Sequence, residues 1–275
     1  MIRWPLQTVH ASMGRMPSAS NPTGQMSARF VPLSADSADP PGLNDYDSFA
    51  EEYTASNETS FVNAYYERPA MLALAGDVAG RRILDAGCGS GPLFAALRDG
   101  GAVVTGIDRS AGMLEQARRR LGDDADLRVA ELGSPLPFPD DTFDDVTASL
   151  VLHYLPDWGP ALAELRRVLK PGRRLIVSVN HPFRENLWHR EVGLEPDYFA
   201  TYSYTVEWTA GDQSAVLRFW TRPLHAMTDA FTAAGFRILV ISEPAPAPDT
   251  PRELLPEGIE EIPRFLCFLF FVLQA

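Results

Sequence analysis

Three glycines at alternate positions carry the clearest chemical signal in this chain, in the run Ile83-Leu84-Asp85-Ala86-Gly87-Cys88-Gly89-Ser90-Gly91. The run leads from an apolar stretch of strand character into Leu93, Phe94 and Leu97 at helical spacing. Glycine tolerates positive φ and lets a backbone approach a ligand with no Cβ in the way. The helix start that follows offers free N–H groups and a partial positive charge to an anionic group. Two carboxylates accompany the turn. Asp85 precedes the first glycine by two residues, and Asp108 closes a second apolar stretch 17 residues after Gly91, where it can accept both hydroxyls of a ribose.

A cofactor built on a nucleoside fits this set, and two classes compete for it. Dinucleotide folds use Gly-x-Gly-x-x-Gly, whose turn holds a pyrophosphate. Here the spacing is Gly-x-Gly-x-Gly, followed by Pro92. A carboxylate at Asp85 would repel a pyrophosphate but suits an ammonium group. A nucleoside that carries an amino acid, S-adenosylmethionine, therefore fits better. A nicotinamide-dependent oxidoreductase is the disfavoured alternative.

The elements that must position these residues alternate. Strands are expected at 81–86, 102–107, 127–130, 143–149 and 174–179, with helices at 110–121 and 157–169. The latter is closed by Lys170-Pro171-Gly172. Such alternation predicts a doubly wound α/β domain on a parallel sheet. Ahead of it, Tyr46, Phe49, Ala50 and Tyr53 lie at helical spacing, and a second helix is expected over 60–75. After Pro182 the rhythm breaks. Residues 184–222 are rich in Trp, Tyr and Phe, and 202–209 and 214–221 read as the strands of a β-hairpin inserted after the fifth strand. A helix at 223–234 and strands at 236–242 and 264–273 complete the domain, which spans 44–275.

The stretch from about 45 to 183 resembles the class I S-adenosylmethionine-dependent methyltransferases, in the subgroup called methyltransferase type 11. Leu84 to Gly91 resembles the family's glycine-rich loop, so Asp85, Gly87, Cys88, Gly89 and Gly91 are implied to cradle the methionyl part. Gly106-Ile107-Asp108-Arg109-Ser110 with Met113 resembles its ribose-binding strand end. Ser149-Leu150-Val151-Leu152-His153-Tyr154-Leu155 resembles the strand exit beside the reacting methyl. Glu131, beside Leu132, stands where the family usually places an Asp that accepts from the adenine amino group. The resemblance also implies a Rossmann-like seven-stranded sheet with the last strand antiparallel, and a first helix that caps the cofactor. On that helix Tyr46 is a candidate contact for the methionyl carboxylate.

Displacement at a sulfonium expels a neutral thioether, so no acid is needed for the leaving group. A base is needed only for a protonated acceptor. His153 and His181 are the two candidate bases, since an unperturbed imidazole titrates near neutrality and both follow strands expected to end at the crevice. Each also has a bland reading, as a packed or turn-forming side chain. The aromatic residues of 184–222 offer flat apolar faces, and the segment is expected to roof the acceptor side of the crevice. The expected reaction is methyl transfer to a small organic acceptor, aromatic or hydrophobic. A non-catalytic module that only binds S-adenosylmethionine is the alternative.

Composition bounds the partners. The chain has 275 residues and a formal charge of −12, which argues against sequence-independent binding to nucleic acid and against docking on anionic lipid. Its two cysteines, Cys88 and Cys267, make no disulfide framework, and the composition fits a reduced, cytoplasmic setting. The histidines show no metal-ligand spacing. Residues 1–43 hold six Pro, six Ser and four of the seven Met without a helical or strand period. They read as a disordered tail, or as a start placed too early, with Met26 as the alternative start.

Overall fold

The computed structural model describes residues 27–31, 42–210, 213–255 and 265–275. Its centre is a seven-stranded sheet. Strands β2 (Arg82–Ala86), β3 (Val103–Asp108), β4 (Asp126–Val129), β5 (Phe143–Ser149) and β6 (Leu169–Asn180) are joined by β9 (Arg237–Ser242) and β10 (Phe268–Gln274). The order is β4-β3-β2-β5-β6-β10-β9. The first five strands pair in parallel, and β10, the last in sequence, runs antiparallel to both of its neighbours. The doubly wound sheet with an antiparallel last strand is the architecture read from the sequence.

Two apolar layers explain why strands such as β2 are apolar on successive residues rather than on alternate ones. Ile83 faces a layer built with α2 (Arg68–Ala75), α3 (Pro92–Asp99) and α4 (Ala111–Leu121). Leu84, its neighbour, faces the opposite layer, with α5 (Gly159–Val168) and α7 (Leu224–Ala233). Lys170-Pro171-Gly172 ends α5 as expected, yet it lies inside the run of β6. Gly172 takes a φ of +74° there, and the register with β5 shifts across this stretch.

The entry helices are more broken than their spacing suggested. A 3-10 turn at Asp47–Phe49 leads into α1 (Ala50–Thr59), and a π-helical turn at Phe61–Glu67 leads into α2. The hairpin is present, as β7 (Tyr202–Ala210) and β8 (Gln213–Thr221). A helix, α6 (Pro182–Glu191), precedes it. That helix escaped the periodicity because its inward positions include Glu185, Asn186 and His189 rather than apolar residues.

The reading of 1–43 as a structureless tail needs a correction. Ser27–Val31 forms β1, which pairs antiparallel with β7 and makes the hairpin a three-stranded sheet. Phe30 stacks on Tyr204 at 6.1 Å and meets Trp188 edge-on at 6.2 Å. Its partners lie far along the chain, so no local pattern announces the strand. Residues 1–26 and 32–41 of that stretch lie outside the described residues.

Candidate functional site

The glycine turn sits at the C-terminal end of β2, where open α/β sheets place their ligands. Gly87, Gly89 and Gly91 all take positive φ, at 76°, 54° and 78°. The amides of Gly87 and Cys88 both donate to the carbonyl of Ile107, at 2.8 and 2.9 Å, which ties the turn to β3. A Cβ on Gly87 would lie 2.5 Å from Val151 Cγ2, so the approach of the two segments requires glycine there. Asp108, at the end of β3, accepts from the Gly89 amide through Oδ2 and from the Ser110 amide through Oδ1, each at 2.9 Å. The carboxylate is thereby fixed in place beside the turn.

A cavity of about 1200 Å³, its open mouth included, runs over this turn. Tyr46, Asp85, Gly87, Cys88, Gly89, Asp108, Arg109, Met113, Glu131, Leu132, Ser149 and Leu150 line it. These residues come from five separate segments of sequence and were all expected at the site. Gly91 is the exception. It begins α3, and a Cβ on it would lie 2.9 Å from Leu121 Cδ1, so its role is close packing against α4. Leu150 holds a positive φ of 49° without being glycine, a strain of the kind that collects at functional sites.

Asp85 has the most informative electrostatics. It is 1% exposed, and its Oδ1 accepts the Thr147 hydroxyl at 2.9 Å. Its Oδ2 is buried with no hydrogen-bond partner among the described residues. Burial pushes its pKa up to about 7, with the Thr147 hydroxyl and the Phe94 amide opposing the rise and the nearby carboxylates of Glu67 and Asp108 adding to it. Asp85 lines the cavity and keeps one buried carboxylate oxygen unpaired, a demand that the ammonium of an amino acid would meet. The cavity therefore fits S-adenosylmethionine on the chemistry of its donor set.

The entry segment closes the cavity from the other side. Asp47 Oδ1 accepts the Ser110 hydroxyl at 2.5 Å and the Gly112 amide at 2.8 Å, which pins the first turn to the start of α4. That pin sets Tyr46 against Tyr154, hydroxyl to hydroxyl, with Tyr53 edge-on to Tyr46 at 5.1 Å. Burial lifts all three phenol pKa values, that of Tyr53 to about 12, so near neutrality these hydroxyls are protonated donors.

Neither histidine reaches the cavity wall. His153 is buried between Tyr154 and Phe219, at ring distances of 4.7 and 5.3 Å, and burial pushes its pKa down to about 3. His181 caps α6 by accepting the Phe183 amide at 3.2 Å, and its other nitrogen meets Glu243 at 2.7 Å. Burial lowers its pKa, against the pull of Glu243. The geometry places His153 in a packing role and His181 in a turn-forming one, and brings neither expected base into the cavity lining.

The aromatic residues of 184–222 are likewise one layer further out than expected. None lines the cavity. Trp208 stacks on Tyr53 at 5.8 Å, and Phe219 packs on Tyr154 at 5.0 Å, so the insertion backs the tyrosine wall. Sequence reasoning also missed Asn44, Asn57, Asn63, Glu67 and Arg68, which all line the cavity. The one available signal was Glu67-Arg68, an adjacent charge pair within a segment whose apolar positions predicted a buried helix.

Comparison with known proteins agrees with this geometry. A family model described as a methyltransferase domain matches residues 84–177. A demethylmenaquinone methyltransferase of Clavibacter sepedonicus is 42% identical over 134 residues, 48% of this chain and 55% of that protein. The chain thus spans about half the length of that relative. A ubiquinone/menaquinone biosynthesis C-methyltransferase of Desulfotalea psychrophila is 31% identical over 202 residues, 70% of this chain and 80% of that protein. Among solved structures, an S-adenosylmethionine-dependent methyltransferase of Mesorhizobium loti superposes with a TM-score of 0.58 at 25% identity, over 80% of this chain and all of that one. The chain belongs to the class I S-adenosylmethionine-dependent methyltransferases, enzymes whose cofactor is S-adenosyl-L-methionine. Among the described residues no helix is long and apolar enough to cross a membrane.

Proposed function

We propose that this protein methylates a small aromatic acceptor of the quinol type, with S-adenosylmethionine as methyl donor. The observation that carries the reading is the buried, unpartnered Oδ2 of Asp85 in one cavity with the hydroxyls of Tyr46, Tyr53 and Tyr154. Similarity to the demethylmenaquinone methyltransferase of Clavibacter and the ubiquinone/menaquinone biosynthesis C-methyltransferase of Desulfotalea supports the acceptor class.

When bound, S-adenosylmethionine supplies an electrophilic methyl on a sulfonium. Asp85 takes the methionyl ammonium, and the glycine turn admits the chain beside it. Asp108 accepts the ribose hydroxyls. Glu131 accepts from the adenine amino group, with Leu132 and Met113 as apolar contacts. The hydroxyls of Tyr46 and Tyr154 bond to each other, which leaves one O–H of the pair to donate to an acceptor oxygen and orient the nucleophile toward the methyl. Positioning and exclusion of water would supply the rate, and the acceptor would react as its ionised quinolate, its proton having passed to water at the cavity mouth, so neither histidine is required. The segment 184–222 acts on acceptor choice by holding the tyrosine wall. The net charge of −12 supports a small-molecule acceptor rather than nucleic acid, and the two free cysteines support a reduced, cytoplasmic setting.

The test is turnover with a short-chain demethylmenaquinol, kept reduced, and S-adenosylmethionine. The expected result is S-adenosylhomocysteine together with a product heavier by one methyl, and a turnover loss of tenfold or more in Tyr154→Phe with cofactor affinity kept within threefold. Cofactor binding without product from any quinol, catechol or naphthol would favour the binding-module alternative.

A further inference from the structure

Glu67 and Arg68, two neighbouring residues of opposite charge, face the same cavity and belong to no part of the matched family segment 84–177. Glu67 closes the π-helical turn, and Arg68 opens α2. Single π-turns within helices recur at functional sites. Glu67 is buried, at 4% exposure. Its Oε1 accepts the hydroxyls of Ser149 at 2.7 Å and Ser178 at 2.6 Å. Those serines face each other in register across β5 and β6, so the carboxylate lies over the C-terminal ends of both strands. Among the described residues Oε2 takes no hydrogen bond. Arg68 is half-buried, donates to Asn57 Oδ1 at 3.2 Å, and feels the charge of the neighbouring Glu67 but forms no direct ion pair among the described residues.

The placement of Glu67 relative to Asp85 follows from β5. Thr147 holds Asp85 and Ser149 holds Glu67. Two residues apart on one strand, Thr147 and Ser149 present the same face, separated by about 6.6 Å at the usual strand rise. An ammonium nitrogen that bridges two carboxylate oxygens at charge-assisted distance spans about 5–6 Å. A carboxylate on the ligand then has a guanidinium at the adjoining position, the side chain best suited to hold it by two parallel bonds.

We infer that Glu67 and Arg68 are the pair that reads the zwitterionic amino-acid end of the ligand, Glu67 sharing the ammonium with Asp85 and Arg68 taking the carboxylate. The inference rests on the reading of the cavity as an S-adenosylmethionine site and adds two residues to it from outside the glycine-turn motif. It also moves the carboxylate contact from Tyr46 to Arg68. Tyr46 is thereby left, with Tyr154, to the acceptor.

Two probes separate this role from every other. S-adenosylhomocysteine carries the amino-acid end, and 5′-methylthioadenosine has the same nucleoside and thioether without it. Calorimetry on the full chain would compare both for the wild type, Glu67→Gln and Arg68→Met, with thermal melts of each unliganded protein as a control on folding. Each variant is expected to weaken S-adenosylhomocysteine at least tenfold, about 1.4 kcal/mol, and to leave 5′-methylthioadenosine within threefold. If Glu67→Gln fails to fold, Arg68→Met decides, because that side chain makes one hydrogen bond, to Asn57, and no direct ion pair among the described residues. A parallel loss for both probes would make the pair structural and overturn the inference. A change of less than threefold for S-adenosylhomocysteine would overturn it too. A wild type that binds neither probe would overturn the cofactor reading itself.

Discussion

Replacing Asp85 by Asn separates stability from function, and the structure sets the sign of both effects. The carboxyl has an ordinary value of 3.8 and is pushed to about 7 in the folded protein, mainly by burial. The folded state therefore binds more protons than the unfolded state between these values, and stability falls as pH rises through that window. A rise of about three units at 1.36 kcal/mol each makes the ionised group cost about 4 kcal/mol above pH 7. Water in the cavity mouth shields part of this, so 4 kcal/mol is a ceiling. Asn keeps the Thr147 bond through its carbonyl and carries no charge, but it buries an unpaired amide at about 1–3 kcal/mol. The unliganded variant is thus expected to gain about 1–3 kcal/mol relative to wild type on going from pH 5 to pH 8. Affinity for S-adenosylhomocysteine should fall by about 1.5–3 kcal/mol, the worth of a hydrogen bond to a charged group. Urea unfolding of both proteins at the two pH values, with calorimetry at pH 8, measures all of this. A stability difference that is the same at both pH values, or unchanged ligand affinity, would refute the reasoning.

Deleting residues 1–40 removes β1 and the Phe30 contacts to Tyr204 and Trp188, so the melting temperature is expected to drop by several degrees, read by differential scanning calorimetry; an unchanged value would mean that β1 adds nothing to the hairpin sheet. His153→Phe, which keeps an aromatic ring between Tyr154 and Phe219, is expected to retain methyl transfer within threefold and to leave the pH–rate profile between pH 6 and 8 unaltered. Loss of turnover beyond a hundredfold would restore His153 as a base.

Much of the fold was legible because its signals are local. The glycine turn, the apolar strands and the helix periods each occupy a dozen residues or fewer, and the parallel order follows from their alternation. β1 was not legible, since five residues acquire strand structure only from β7 some 175 positions away. α6 was hidden because it buries Glu185, Asn186 and His189, which find Arg184 and Tyr204, the Pro196 carbonyl and the Tyr202 hydroxyl in three dimensions and leave no apolar stripe. The cofactor side of the site could be read from the motif. The acceptor side could not, because a chain position says nothing about which layer a side chain reaches. His153, Trp208 and Phe219 all stand one layer behind the tyrosines, while Glu67 and Arg68 reach the cavity from a segment without a motif.

The central claim is that the cavity over the glycine turn is an S-adenosylmethionine site. The most direct measurement is a pair of calorimetric titrations of the full chain, one with S-adenosylhomocysteine and one with NAD. Saturable micromolar-range binding of S-adenosylhomocysteine at one site per chain, lost in Asp108→Ala, is expected, with no heat from NAD. Binding of NAD with no response to S-adenosylhomocysteine would contradict it.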